Sequence, residues 1–392
     1  MIENSPFSSC YLILTEDCNL RCKYCYENGN RCTESYMSFE TAKKTAEFLI
    51  ENALKNGVKK LRLTFFGGEP LLNLDVMIKF FNYVVDRAKQ CNMGLFFSII
   101  TNGTIYNKKF EEFILDWYKT TKSVNIQISI DGIPEVQDKN RITANGKLTS
   151  EMVVKNILKL KTFLEENKIN ASSFHTHSVI TKDNISKFFS SYKYFKQLGV
   201  KRSEFMLSNE EAWNENDVSI YIEQLSLIAD YVYKECISTG SLKPYEDANL
   251  IKIKSFNVPP KTCEAGKKFC SVTANGDIYP CHRTYFYNRS FKLGNVYDGI
   301  IDNESRKTFF DAYRSNMHAG NNSCGDCATI CKICLASNYE QCNDVLKCNP
   351  LVCSMYKAKW NFLIETKKKF DKLYDKFQHN KCNELTFIEA LN

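Results

Sequence analysis

The placement of cysteine constrains this chain more than any other feature. Eighteen cysteines occur in 392 residues, and they are not spread evenly. Three fall within eight residues, as Cys18-Asn-Leu-Arg-Cys22-Lys-Tyr-Cys25, and ten lie between Cys263 and Cys353. No secretory signal is visible, since Met1–Ser9 is polar, and no apolar run approaches the length of a membrane span. A disulfide framework is then a poor explanation, because a cytosol keeps thiols reduced. The expectation is a cytoplasmic protein, not associated with membrane, whose clustered thiols hold metal.

The first half of the chain alternates apolar β-rich runs with helix-period stretches. The runs are Tyr11–Thr15, Leu61–Phe66, Leu95–Thr101, Val124–Ile130, His175–Ile180 and Ser203–Leu207. The helical stretches are Ser38–Asn52, Asn73–Cys91, Lys108–Thr120, Ser150–Glu166 and Asn184–Leu198. Strands alternating with helices of this length predict parallel βαβ units. Six such units can curl into an open, partial barrel whose site lies at the C-terminal ends of the strands. The predicted fold class is α/β, with the barrel over 1–208 and a helical linker region over 209–260. A small cysteine-rich domain over 261–356 and a C-terminal helix over 357–392 complete it. Pro259-Pro260 marks the boundary before the cysteine-rich part. Lys+Arg exceeds Asp+Glu by seven, spread over helices such as the one holding Lys367–Lys369, so nucleic-acid binding is not expected.

Three thiolates at Cys18, Cys22 and Cys25 can hold three irons of a cubic cluster and leave the fourth iron open to a small ligand. A structural zinc is the alternative, with Cys32 folding back as fourth ligand. Further polar groups close the strands. Gly67-Gly68-Glu69-Pro70 follows the second, where glycines admit close backbone approach and a carboxylate can accept from an ammonium group. Asn102 follows the third strand, and Ser129 and Asp131 end the fourth. Such groups hold ribose hydroxyls or, equally, build turns. Arg141 lies in the following loop, and His175 and His177 share one face of the fifth strand. Near the other end, the pairs Cys324-x2-Cys327 and Cys331-x2-Cys334 point to metal, with a zinc ribbon as the simple alternative.

Cys-x3-Cys-x2-Cys after the first strand, with Tyr24 just before the last cysteine, resembles the signature of radical S-adenosylmethionine (SAM) enzymes. The resemblance implies a [4Fe–4S] cluster on Cys18, Cys22 and Cys25, with SAM chelating the open iron. Cleavage of SAM would then yield a 5′-deoxyadenosyl radical that abstracts hydrogen from substrate. It further implies that Gly67, Gly68, Glu69 and Pro70 contact the SAM amino group and that Asn102, Ser129 and Asp131 surround the ribose and methionine moieties. Arg141 would pair with the SAM carboxylate.

The order Cys263-x12-Gly276-x4-Cys281, Cys324, Cys327, Cys331, Cys334, Cys353 resembles the SPASM domain, which carries two auxiliary [4Fe–4S] clusters. By that likeness Cys263, Cys281 and Cys334 hold the first, with Cys270 as candidate fourth ligand, and Cys324, Cys327, Cys331 and Cys353 hold the second. The usual spacing after the Cys-x2-Cys pair is five residues and then three; here it is three and then two. Cys342 and Cys348 have no place in the scheme, and Cys10, Cys32, Cys91, Cys236 and Cys382 are read as structural or incidental. The implied cofactors are SAM and three [4Fe–4S] clusters.

The resemblance implies a peptide or protein substrate and a low-potential electron donor such as flavodoxin or ferredoxin. The preferred reading is a maturase of ribosomally made peptides that forms a thioether or other cross-link. Tyr279-Pro280-Cys281-His282-Arg283 and Asn338-Tyr339-Glu340 resemble those enzymes. The second reading is an anaerobic sulfatase maturase, whose Tyr-Pro-Cys is followed by an aspartate base. Here His282 stands in that place and is the candidate base. A reading from another class is a non-catalytic iron–sulfur or zinc scaffold.

Overall fold

The computed structural model describes residues 6–27, 35–253, 263–325, 327, 329, 331 and 333–389. Cys32 and Pro259-Pro260 lie outside them. All six apolar runs form strands: β1 (Ser9–Ile13), β2 (Lys60–Phe66), β3 (Gly94–Thr101), β4 (Ile126–Ser129), β5 (Phe174–Ile180) and β6 (Ser203–Leu207). Each pairs in parallel with the next. Between them run α1 (Phe39–Lys55), α2 (Leu74–Gln90), α3 (Lys108–Thr121), α4 (Ser150–Glu166) and α5 (Phe188–Gln197).

Local chemistry sets these helices. Ser38 caps α1 by accepting from the Thr41 amide at 3.0 Å, and Ala42, Ala46, Leu49, Ile50 and Ala53 then bury one face. Asn107 caps α3 in the same way, and Lys122 ends it in the left-handed region at φ 57°. Helices and sheet meet in an aromatic core. Phe97 packs between Phe65 (6.0 Å, stacked) and Phe81 (4.8 Å), and Phe113 packs on Trp117 at 6.0 Å. Each such side chain contributes roughly 1.5–3 kcal/mol by burial. That rigid layer fixes where the strand ends emerge.

The sheet does not stop at β1. Strand β7 (Phe269–Val272) runs parallel beside it, pairing Cys270 with Cys10 and Val272 with Leu12. A hairpin turn over Ala274-Asn275-Gly276-Asp277 follows, an Asn-Gly sequence suited to it, with the Thr273 amide donating to the Asp277 carbonyl at 2.9 Å and Gly276 at φ 84°. It leads to β8 (Asp277–Tyr279), followed by β9 (Gly294–Asn295) and β10 (Gly299–Ile300). The result is one ten-stranded sheet, ordered β10-β9-β8-β7-β1-β2-β3-β4-β5-β6.

Helix α6 (Glu215–Thr239) starts at a capping box made by Asn214 and Asp217. It shares an apolar cluster with the long α9 (Pro350–Glu389), in which Tyr221, Ile228 and Val232 join Met355, Phe370 and Leu373. Helix α9 begins before the expected residue 357, so it carries Cys353. Short elements fill the cysteine-rich stretch: α7 (His282–Tyr287), the ribbon β11 (His318–Ala319) with β12 (Asn322–Ser323), and α8 (Leu335–Cys342). Among the described residues no helix is long and apolar enough to cross a membrane.

Candidate active site

A cavity of about 420 Å³ opens at the C-terminal ends of the barrel strands. The loop after β1 places Cys18, Cys22 and Cys25 on its wall. A short ribbon fixes that loop, pairing Leu20–Cys22 with Arg141–Thr143 so that Cys22 stands opposite Arg141. Sulfur-directed donors surround the thiols. The Leu20 amide donates to Cys18 Sγ at 3.4 Å, Asn102 Nδ2 lies 3.7 Å from the same sulfur, and Arg141 donates to Cys22 Sγ at 3.9 Å. Donors of this kind stabilise thiolates and tune whatever those thiolates bind.

Tyr24 and Arg141 serve the loop itself. The Tyr24 hydroxyl donates to both Asp131 carboxylate oxygens, at 2.7 and 2.5 Å, and the Arg141 guanidinium lies over the Tyr24 ring at 5.3 Å. Arg141 Nε is 3.1 Å from Asp131 Oδ1, and the Val179 amide donates to the same carboxylate at 3.2 Å. Asp131 is thus buried behind Tyr24, fully engaged and off the cavity wall. The ribose contact expected of it does not fit that place, whereas Ser129 does line the cavity.

Gly67 and Gly68 also line the cavity, but their glycine identity answers to the protein first. A Cβ on Gly67, at φ 135°, would sit 2.2 Å from the Thr15 carbonyl oxygen, and one on Gly68 would sit 2.2 Å from that of Asp17. The Gly68 and Glu69 amides donate to those same two carbonyls at 2.9 Å each. The glycines therefore let the second strand end dock against the cysteine loop. Glu69 is fully buried, and burial pushes its carboxyl up to about 7 against the pull of three donors: the Asn102 amide (2.7 Å), the Leu71 amide (3.0 Å) and the Thr101 hydroxyl (2.8 Å). Pro70 opens the one-turn helix that follows. Of the two strand-five histidines, His177 lines the cavity and His175 lies buried, its basicity lowered to about 4 chiefly by burial.

The far wall of the same cavity holds Cys263, Cys281 and Cys334. Burial first, and then one another's charge, pushes Cys263 up to about 11 and Cys281 up to about 12. A bound cation is what would let such thiols ionise. Cys270 is not with them. Its strand turns it to the other face, against Cys10 in the α/β core, while its neighbour Phe269 faces the cavity. The alternation of a strand is the reason, and it removes Cys270 as a fourth ligand.

Cys324, Cys331 and Cys353 line a smaller adjoining cavity, and Cys327 is within electrostatic reach of Cys353. Cys348, which sequence reasoning left without a role, lines that cavity too. Among the described residues no three His, Cys, Asp or Glu side chains converge on a point that one ion could fill.

His282 is boxed by aromatic rings. It stacks on Tyr11 (4.7 Å, 12°) with Phe66 at 4.8 Å and Phe269 at 6.1 Å. Its Nδ1 is buried without a hydrogen-bond partner, and burial lowers its basicity to about 3. An imidazole that weakly basic is a poor proton acceptor near neutral pH, so the general-base role expected of it does not fit these surroundings. The sequence reading also missed Arg283. Buried beside Cys334, it pairs with Glu210, lies over the Tyr26 ring at 4.6 Å and shares Glu210 with Tyr287. Its position right after Cys281-His282 was the available signal.

An open parallel barrel with three thiols after its first strand, facing a second thiol set across one cavity, fits a protein that holds metal through clustered thiolates at its strand ends. Comparison with known proteins makes the class specific. Residues 12–188 match the radical SAM superfamily, and residues 263–328 match the SPASM iron–sulfur cluster-binding domain. The chain carries a radical SAM domain and a C-terminal SPASM domain, whose cofactors are SAM, a [4Fe–4S] cluster and auxiliary iron–sulfur clusters.

Among its relatives is the cysteine-type anaerobic sulfatase-maturating enzyme of Clostridium novyi (strain NT), 27% identical over 77% of this chain and 78% of that one. The radical SAM cyclopropyl synthase TigE of Paramaledivibacter caminithermalis is 25% identical over 91% of this chain and 74% of that one. In fold the chain is similar to native anSMEcpe with bound AdoMet and Cp18Cys peptide, at TM-score 0.69 and 20% identity over 95% of this chain and 99% of that one.

Proposed function

We propose that this protein modifies a ribosomally made peptide by oxidative cross-linking, with thioether formation as the leading case. One observation carries the reading: Cys18, Cys22 and Cys25 share a single cavity with Cys263, Cys281 and Cys334. In this reading the first three thiols hold the barrel cluster and the second three hold an auxiliary cluster, while Cys324, Cys327, Cys331 and Cys353 belong to a further one. SAM at the barrel cluster supplies a hydrogen-abstracting species, and an auxiliary cluster supplies an electron sink. The bookkeeping of such a cross-link needs both. Joining a C–H carbon to an S–H sulfur removes two protons and two electrons from the peptide, so it would need both a hydrogen-atom acceptor and a one-electron acceptor.

The residues of the chain have defined tasks in this scheme. Asn102 and Arg141 hold the loop thiols, and Ser129, Gly67 and Gly68 form the wall against which SAM would lie. Tyr11, Phe66 and Phe269 exclude water around His282, keeping the space between the two thiol sets apolar. Arg283, held by Glu210 beside Cys334, puts a cation next to the auxiliary site, where it favours arrival of an electron. A low-potential flavodoxin or ferredoxin would complete the cycle, and the reducing interior of a cell suits the exposed chemistry.

The sulfatase-maturase reading has one observation in its favour, the relative from Clostridium novyi. Against it stands His282 in the place of the expected aspartate, boxed and weakly basic. The deciding experiment is anaerobic co-expression with short cysteine-containing peptides encoded beside the gene, followed by mass spectrometry. Loss of two hydrogens per modification, with one cysteine no longer alkylatable, is expected. An unchanged peptide, together with conversion of a sulfatase Cys or Ser to an aldehyde, would move the assignment to the second reading. The triple variant Cys18→Ala/Cys22→Ala/Cys25→Ala should make no 5′-deoxyadenosine; if it does, the barrel cluster is misplaced.

A further inference from the structure

We propose that Cys348 is an iron ligand of the second auxiliary cluster, with Asn338 as the hydrogen-bond donor to its sulfur. The proposal rests on reading the C-terminal thiols as cluster ligands and extends it to a cysteine that the SPASM-like spacing leaves out.

Backbone pairing brings Cys348 to that site. Strand β11 is flanked on both sides. On one side its hairpin partner β12 leads into Cys324, whose amide donates to the Met317 carbonyl at 3.0 Å. On the other side Lys347 bridges to His318 in parallel, and the Cys348 amide donates to the His318 carbonyl at 2.7 Å. Two cysteines distant in sequence are thereby pinned to the two flanks of one short strand. Their thiols meet in a side-chain hydrogen bond, with Cys331 close by. Cys331, Cys334 and Cys353 also line the same small cavity.

Asn338 supplies the second, independent observation. It lies buried in the first turn of α8, where its own amide donates to the Cys334 carbonyl at 2.9 Å. Its side-chain Nδ2 donates to the Val345 carbonyl at 2.9 Å and to Cys348 Sγ at 3.5 Å. The first of these bonds fixes the amide group, so the second is aimed. An oriented amide donor to sulfur is what a metal thiolate recruits, since it offsets the negative charge that the sulfur keeps when iron is bound. The neighbouring α8 cysteine, Cys342, lines neither cavity and serves as the internal contrast.

Cys324, Cys331, Cys334, Cys348 and Cys353 line the small cavity and Cys327 lies near Cys353, so with Cys334 given to the first auxiliary cluster and only four irons in a cube, Cys348 takes the corner that one member of the SPASM-like set does not reach. The shortened spacing between Cys327, Cys331 and Cys334 gives the extra thiol a purpose. A tighter loop reaches fewer corners of a cube, and Cys348 arrives from a separate segment to meet one of them.

The test uses the full chain, reconstituted anaerobically with iron and sulfide. Wild type should hold about twelve irons, four for each cube. Cys348→Ala should hold about four fewer, Cys342→Ala should match wild type, and Cys348→Ser should keep its iron with an altered electron paramagnetic resonance signal, because oxygen replaces sulfur at one corner. Circular dichroism checks that each variant is folded.

A measurement without mutation runs in parallel. Brief iodoacetamide labelling with peptide mapping should leave Cys348 unlabelled in loaded protein and labelled after iron is chelated. Asn338→Ala should lower the reduction potential of one auxiliary signal. Wild-type protein with only about four irons would overturn the auxiliary-cluster reading and this proposal with it. About twelve irons, with Cys348 alkylated in the loaded state and Cys348→Ala at full iron, would overturn this proposal alone.

Discussion

The two thiol-bearing regions of this molecule are built on opposite logic. In the barrel, Cys18, Cys22 and Cys25 sit on a loop whose supports are contacts within the protein. Strand β1 leads into it, the Leu20–Cys22 ribbon clamps it, and Asp131 holds Tyr24 and Arg141 beneath it. Behind these stands an aromatic core of full size. In the C-terminal region, Cys263, Cys281 and Cys334 come from three separate segments, and Cys324, Cys348 and Cys353 from three more. The elements joining them are short, and the apolar cluster among them is small. In one region the fold makes the site; in the other the site must help make the fold.

Removing the metal should therefore separate the two regions, and this is the largest effect expected. Hydrogen exchange of chelated against reconstituted protein should show amides in 317–353 exchanging at least about a hundredfold faster, which is about 2.7 kcal/mol of lost protection. Amides of α2 and α3 should change less than about threefold. Equal loss in both regions would mean that the barrel also depends on its cofactor. Full protection of 317–353 would mean that the small C-terminal cluster is self-sufficient, and the contrast drawn above would fail.

A barrel support of this kind can be broken directly. Asp131→Asn removes the charge facing Arg141, and both side chains are almost wholly buried, at 0% and 8% exposure. Leaving one member of a buried pair uncompensated costs roughly 3–5 kcal/mol. Urea denaturation of the apoprotein should show that loss. A cost under about 1 kcal/mol would mean that Arg141 finds water or another anion when Asp131 is neutralised. Its expected role toward the SAM carboxylate would then regain ground.

Glu69 gives the pH counterpart in the same wall. Its carboxyl titrates near 7 when folded, against about 4.5 when exposed. The folded state therefore holds a proton that the unfolded state has released, and stability contributed by this group falls as pH rises from about 4.5 to 7. At about 1.4 kcal/mol per unit the ceiling is roughly 3 kcal/mol. Glu69→Gln should flatten that part of the stability–pH curve of the apoprotein. An unchanged slope would assign the curve to other groups.

The same contrast explains what could be read from the sequence. The six strands, five helices and the hairpin at Ala274–Asp277 are local patterns: period two, period 3.6, caps and Asn-Gly turns. Each was legible because its cause lies within a few residues. The thiols of Cys18–Cys25 were legible for the same reason. The pairing of β7 with β1 was not, because nothing in Phe269–Val272 names a partner more than 250 residues away. The engagement of Asp131, the boxing of His282, the Glu210–Arg283 pair and the approach of Cys348 to Cys324 are likewise products of tertiary contact. A strand-end carboxylate and a residue following Tyr-Pro-Cys can be recognised in sequence, but what they face is set by chain that arrives from elsewhere.

Cys270 tests where the boundary between the two logics falls, and it carries the smallest expected effect. By sequence it belongs to the cysteine-rich region; by contact it belongs to the barrel core, opposite Cys10. If the contact decides, Cys270→Ala removes only a buried sulfur from a packed site, at a cost of roughly 1–2 kcal/mol. Iron content and the auxiliary spectra should stay as in wild type. Cys270→Ser should cost about as much or more, because a hydroxyl is costlier to bury than a thiol and the Ser9 carbonyl, 3.9 Å from the sulfur, is a distant acceptor for it. Urea denaturation and iron analysis on the same samples separate the possibilities. A fall of about four irons in Cys270→Ala would make it a cluster ligand after all, and would require β7 to turn its faces over when iron binds. That would place a strand of the barrel sheet itself among the parts that the metal organises.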